Sequence, residues 1–419
     1  MLWHGPSPII PCVSFCVLVM VVSATLEAEI NGPMFESDEF NCVDGHYRPA
    51  SSCIVGNIRL DANGTFSTAS KPKLPQTKRR AFDKAMFSLE TLERAADQSS
   101  CKQFVNRDAV FFSIYFHHGH GNFFHFFHDS VFPLFKTVAG VKTQRPVLFP
   151  FVEHGSLHGL PSGIAWDVKD VFSRSVQSFW MSLLQLLFAD RSQNDLIPLD
   201  REFLNRVKTD GDVCFSRVRF GLASYTDDDA SFLNQFRAHV FSRTEINPPL
   251  PVGTMTVPQL ARYSIFVKRS KRRRILNRAE LIRGVSDMLP MVRSISFENM
   301  SFHDQVKSLE NCSLYIGMQG AGIINALYLP RGSAIVVLFQ YMAASDSFSR
   351  LFERAEKGRH PYFRWVNRNV SNSVVQNEAL DPFHDNADTI VDVREFRGIV
   401  KKAIHALDPT AQSRKREEL

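Results

Sequence analysis

The sequence predicts an α/β protein with two Rossmann-type, doubly wound domains facing a cleft. Three features carry that reading. From Tyr263 onward, short apolar runs alternate with amphipathic stretches, the pattern of parallel strands joined by crossover helices. A looser alternation occupies residues 81–247. Between the two, Asn247-Pro248-Pro249-Leu250-Pro251-Val252-Gly253 interrupts any periodic structure and marks a boundary.

In the first domain, helical spacing over Ala81 to Asp97 predicts a helix, and Ala109 to Phe116 reads as a buried strand. Phe123 to Phe135 reads as a helix running slightly past Pro133. A strand at Arg145 to Phe151, a helix at Ser175 to Ala189, a strand at Val213 to Phe220 and a helix at Asp229 to Phe241 follow. In the second domain, strands are expected at Tyr263 to Val267, Val292 to Phe297, Leu314 to Gly317 and Ala334 to Phe339. Helices are expected at Arg278 to Leu289, Phe302 to Leu309, Gly322 to Leu329 and, amphipathic and long, Thr389 to Ala406. The linker spans 248–258, the second domain 259–408, and a charged tail 409–419. Residues 25–80 are polar and read as irregular.

Pro8 to Ala24 is an uncharged apolar run ending in a small-residue cleavage pattern, short for a membrane span and suited to a signal peptide over 1–24. A type II signal anchor in the Golgi is the alternative. The terminal Arg416-Glu417-Glu418-Leu419 is similar to a retrieval signal of the endoplasmic reticulum lumen. In that compartment Cys42 with Cys53 and Cys101 with Cys214 can pair, leaving Cys312 as a buried thiol. Of four sequons, Asn63 and Asn369 look loop-placed and open to glycosylation, Asn299 is unassigned, and Asn311 looks buried.

The formal net charge is +6, from 49 Lys and Arg against 43 Asp and Glu. Lys268, Arg269, Lys271, Arg272, Arg273 and Arg274 account for all of it, which argues against a nucleic-acid or membrane-coating surface and for one local anion site. The second constellation, Ile316-Gly317-Met318-Gln319-Gly320-Ala321-Gly322, lies at a strand-to-helix turn, where exposed N–H groups suit a diphosphate. The third, Gly121-Asn122-Phe123-Phe124-His125-Phe126-Phe127-His128-Asp129, places His125 and Asp129 four apart on one helical face. A carboxylate beside an imidazole in a Phe-rich setting can tune a general base, and a pair capping a buried helix is the plainer reading. Ten of the 36 Phe residues fall between Phe104 and Phe135, a density expected of a core or a pocket wall. His117, His118 and His120 upstream have the spacing of a flexible loop and not of a metal site.

Together these stretches resemble glycosyltransferase family 61. The likeness rests on Asn122-Phe123-Phe124-His125 with His128-Asp129 and Pro133-Leu134-Phe135, on Arg269 with Arg273 and Ile275-Leu276-Asn277, on Ala279-Glu280-Leu281, on Gly320-Ala321 and on Leu329-Pro330-Arg331-Gly332. It implies a GT-B-like pair of domains, with an acceptor side at 81–247 and a nucleotide-sugar side at 259–408. The implied reaction is an inverting transfer of N-acetylglucosamine from its UDP donor to a glycoprotein, at O-mannose or a Ser/Thr hydroxyl. No metal cofactor is implied. His125 and Asp129 would be catalytic; Arg269, Arg273, Asn277, Gln319, Gly320, Ala321 and Gly322 would bind donor. The family usually has His at Gln319 and Glu at Val337. These departures leave two alternatives: a non-catalytic glycoprotein-binding relative, or a xylosyltransferase using another UDP-sugar. Asp227-Asp228-Asp229, a spacing some such enzymes use for Mn²⁺, reads here as the cap of a helix.

Overall fold

The computed structural model describes residues 40–43, 52–61, 66–68, 92–94, 101–114, 123–139, 146–151, 153–154, 163–164, 174–189, 195–223, 230–252, 263–289, 291–343, 351–352, 359–375 and 387–407. The signal segment, Asn63, His117 to Asn122, Asp227 to Asp229 and the terminal tetrapeptide lie outside them. The chain forms two compact units. One comprises Met1–Tyr115, Asp129–Arg174 and Phe188–Ser224; the other comprises Phe116–His128, Ser175–Leu187 and Tyr225–Leu419.

The division does not fall at the Pro-rich stretch. Val252 is 1% exposed in the core of the second unit, and its N–H donates to the Arg331 carbonyl at 2.8 Å. Residues 123–128 and 175–187, contiguous in sequence with the first domain, pack with the second unit.

The second unit is built on a parallel sheet of five strands: β1 Ser264–Val267, β2 Val292–Ile295, β3 Leu314–Met318, β4 Ala334–Phe339 and β5 Tyr362–Val366. Their spatial order is β2-β1-β3-β4-β5, every neighbouring pair parallel. β1, β3 and β4 are buried along their whole length, as expected where both faces are covered. On one face Phe266, Ile316, Val336 and Leu338 pack with Leu281 and with Phe396 and Val400 of helix Val393–Leu407. Ile265, Tyr315, Ile335 and Val337 alternate with them, at most 2% exposed. The 3-10 helix Ala321–Tyr328 follows β3, and helix Phe123–Phe126 packs against it.

The sheet of the first unit departs from the expected doubly wound pattern. Its path runs Leu92–Arg94, Phe66–Thr68, Ser52–Leu60, Asp212–Gly221, Ala109–Ser113, Val147–Phe151. Ser52–Leu60 pairs antiparallel with both of its neighbours on that path and with Phe40–Val43, whereas Ala109–Ser113 is parallel to both of its own. The sheet is therefore mixed. The segment read as irregular contributes three of its strands, and Leu92–Arg94 is a strand inside the expected Ala81 to Asp97 helix, added at the sheet edge beside Phe66–Thr68. Pairing in the sheet overrides the weak helical preference of so short a segment. Phe111 anchors this core, stacked on Phe149 at 4.5 Å and edge-on to Phe66 and Phe215.

Cys101 and Cys214 are joined in a disulfide. Cys42 stands opposite Cys53 in the register of their antiparallel strands. Cys312 is buried without a disulfide partner, and burial pushes its thiol up to about 12, where it stays protonated and unreactive. Asn311 is exposed in a turn, contrary to its expected burial, because only Cys312 and Ser313 of that sequon enter the core. Asn299 and Asn369 are also exposed.

Two outcomes follow. The disulfide closes a sequence separation of 113 residues. Replacing both Cys101 and Cys214 by Ala is therefore expected to cost about 2–5 kcal/mol of stability in denaturant titrations. His360 is 4% exposed, its Nδ1 3.0 Å from the Ser333 carbonyl. Burial, with the charge of Arg359, holds its pKa down to about 3. The unfolded chain binds that proton near pH 6.5, so stability from this group is present above that pH and falls progressively toward pH 3. His360→Gln should flatten the decline in melting temperature between pH 6.5 and 4. An unchanged slope would assign the acid sensitivity to other groups.

Candidate donor-binding site

In a parallel sheet of order 2-1-3-4-5, direction reverses between β1 and β3, and the loops after these two strands border a crevice. The basic run leaves β1, and the Gly-rich turn leaves β3. Topology alone thus brings together Lys268 to Arg274 and Gln319 to Gly322.

The turn approaches closely because of Gly320. Its φ is 146°, a conformation that side chains rarely adopt, and a Cβ there would meet the Arg269 and Arg273 guanidinium groups. Both arginines therefore lie against the backbone at the start of the 3-10 helix. The N–H of Ile323 closes that helix onto the Gly320 carbonyl at 3.0 Å. Tyr315, buried in β3, donates its hydroxyl to the Gly322 carbonyl at 2.9 Å and props the turn from beneath.

Arg273 is 8% exposed and adopts φ 54°, an unusual backbone region for a residue with a side chain. Its Nη1 donates to Gln319 Oε1 at 3.1 Å, and Gln319 is itself 1% exposed. Arg269 donates from Nε to the Arg272 carbonyl at 2.9 Å, which curls the loop back on itself. Burial, with the nearby charge of Arg273, lowers the Arg269 pKa to about 10. Two guanidinium groups held close enough to repel each other form a site that an anion stabilises. A shallow, open pocket adjoins them, lined among others by Phe266, Lys268, Arg269, Arg273, Arg278 and Met318; all of its charged lining is cationic.

The neighbouring residues have other tasks. Ser270 donates its N–H to Glu298 Oε1 at 3.0 Å, and its hydroxyl bonds the other carboxylate oxygen. Arg274 is clamped on Asp388: its N–H reaches Oδ1 at 2.7 Å, and Nε and Nη2 reach Oδ2 at 2.8 and 2.6 Å. The Asn277 amide is engaged on both sides by the Val391 backbone, at 2.8 and 3.0 Å, so it fastens the loop and does not face the crevice with a free amide. Val337 is 1% exposed and in register with Gly317. Asp388 was not legible in the sequence as a site residue: a lone acid 114 positions from its partner gives no local signal.

His125, half-buried, lies in helix Phe123–Phe126, edge-on to Phe124 at 5.8 Å; His128 stacks on the same ring at 5.3 Å. Phe127 meets Phe302 at 5.6 Å and Phe236 at 6.3 Å, and Phe126 stacks on Trp180 at 4.5 Å. The helix that carries His125 is thus part of the same unit as the arginines, not of the first domain as contiguity implied. Asp129 falls in the first unit, in the π-helical turn Phe127–Val131. Pro133 has no N–H to give to the Asp129 carbonyl, and the wider π turn lies immediately before it. Among the described residues, no group of three or more His, Cys, Asp or Glu is arranged to hold a metal ion.

A family model described as Glycosyltransferase 61 matches residues 123–336, slightly more than half of the chain. Among similar proteins is the human protein O-linked-mannose beta-1,4-N-acetylglucosaminyltransferase 2, 27% identical over 243 residues, which are 54% of this chain and 37% of the relative. Its Bos taurus counterpart is 26% identical over 274 residues, 61% of this chain and 42% of the relative. The Xenopus laevis counterpart is 29% identical over 115 residues, 27% and 20% of the two chains. The chain thus spans about two-fifths, at most, of the length of these relatives. The matched stretch contains His125, Asp129, both crevice arginines and the Gly320 turn, and the chain belongs to glycosyltransferase family 61.

Proposed function

We propose that the protein is an inverting glycosyltransferase that moves N-acetylglucosamine from UDP-N-acetylglucosamine to an O-mannosylated or Ser/Thr-bearing glycoprotein in the endoplasmic reticulum lumen. The observation that carries this reading is the convergence of Arg269 and Arg273 on Gly320 at the reversal point of the parallel sheet. The activity named for the relatives favours N-acetylglucosamine as donor sugar and O-linked mannose as acceptor. A GT-B-like pairing of the two units belongs to the same reading.

In this mechanism a base removes the proton of the acceptor hydroxyl as its oxygen attacks the anomeric carbon. The bond from that carbon to the diphosphate oxygen breaks, and UDP departs with the electron pair. Arg269, Arg273 and the N–H groups of the Gly320 turn meet the developing charge, without reliance on a metal. Gln319 holds Arg273 with a neutral acceptor, so its place in the family's usual His position keeps the arginine oriented while carrying no proton of its own. His125 or Asp129 supplies the base.

Arg273→Ala removes one charge-assisted contact, about 1.5–3 kcal/mol. UDP affinity measured by calorimetry should fall by about 10–100-fold; unchanged affinity and unchanged donor turnover would remove the diphosphate assignment. Of His125→Ala and Asp129→Asn, the variant lacking the base should retain UDP affinity and lose transfer by about 10²–10⁴-fold. Transfer retained by both would place the base elsewhere. A screen of UDP-sugar hydrolysis separates N-acetylglucosamine from xylose as donor, and a protein that binds no UDP at all is the non-catalytic relative.

A further inference from the structure

We propose that Asp388 is a positioning residue of the diphosphate site, holding Arg273 in place through Arg274. It lies outside the stretch matched by the family model, 52 residues past its end at 336. The inference rests on the donor reading above and names a part of the same site.

Arg273 occupies an unusual backbone conformation, φ 54°, between two fixed points. On one side its guanidinium is held by Gln319. On the other its chain neighbour Arg274 is held by Asp388, which is 1% exposed and accepts three hydrogen bonds from that single residue, one from the backbone and two from the guanidinium. Backbone bonds reinforce the junction: Thr389 N–H donates to the Arg274 carbonyl at 2.8 Å, and Leu276 N–H donates to the Thr389 carbonyl at 3.0 Å. Asn277 adds its two contacts to Val391.

Strand Ala387–Thr389 is anchored in turn. It pairs with Ser373–Val375, and four residues on the chain enters helix Val393–Leu407, whose Phe396 and Val400 lie in the core of the sheet. A residue in so sparsely populated a conformation persists only where its surroundings over-determine it. Removing the Asp388 carboxylate frees Arg274, and Arg273 then relaxes toward an ordinary backbone and away from Gly320. Removing the Asp388 carboxylate also leaves the Arg274 charge unmatched, a change of field that by itself favours an anion in the crevice, so a loss of UDP affinity reports on the position of Arg273 and not on the field.

The test is a double-mutant cycle read by UDP affinity in calorimetry, with the melting temperature of each variant as a check on folding. Asp388→Asn should weaken UDP binding about tenfold in the wild-type background and less than about twofold when Arg273 is already Ala, because coupled residues are non-additive. Equal losses in both backgrounds, or no loss in the first, would overturn the inference. If Asp388→Asn does not fold, Arg274→Lys carries the same cycle: it keeps the charge and loses the two-pronged contact, with the same coupled loss expected. Wild-type protein that binds no UDP overturns the donor reading and this inference with it. Wild-type binding with full affinity retained in Asp388→Asn overturns the inference alone.

Discussion

Two like charges held side by side against a glycine are the constraint around which the second unit is organised. Arg269 and Arg273 are desolvated by the same turn and repel each other, which lowers the Arg269 pKa to about 10. Such an arrangement costs stability when empty. It is held by a rigid frame: Tyr315 beneath the turn, Gln319 on Arg273, the Arg272 carbonyl on Arg269 and the Asp388 clamp one residue beyond. The surplus charge of the chain, six residues in seven, thereby resolves into distinct tasks. Two arginines face the crevice, Arg274 fixes the loop, and Lys268, Lys271 and Arg272 are exposed.

The sheet makes this arrangement available. Reversal of strand order between β1 and β3 opens a gap that no crossover covers, and both loops that border it follow strand carboxyl ends. Buried β1, β3 and β4 give those loops fixed roots. The first unit has a different logic. Its mixed sheet is completed by an N-terminal strand that pairs with Asp212–Gly221 across 153 to 169 residues, and its aromatic core centres on Phe111.

Much of the second unit was legible because parallel strands buried on both faces are continuous apolar runs. β1, β3 and β4 lie within a residue of their expected bounds. β5, Tyr-Phe-Arg-Trp-Val, was not recognised: it is a half-buried edge strand with an arginine inside it. Ser52–Leu60 was hidden for a related reason, since Gly56 and Asn57 break its apolar pattern and its partner is distant in sequence. For the site, charge clustering and the glycine turn pointed to Arg269, Arg273 and Gly320. Charge alone could not separate Arg274 from its neighbours, because only the fold brings Asp388 to it. Nor could contiguity show that His125 packs with the later half of the chain, where Phe127, Phe236 and Phe302 meet.

The central claim is that a nucleoside diphosphate binds on these two arginines. A crystal structure of the protein with UDP tests it most directly. The account predicts diphosphate oxygens within about 3.2 Å of the Arg269 and Arg273 guanidinium nitrogens, above the Gly320 turn. Electron density for UDP with its diphosphate touching neither arginine would contradict it.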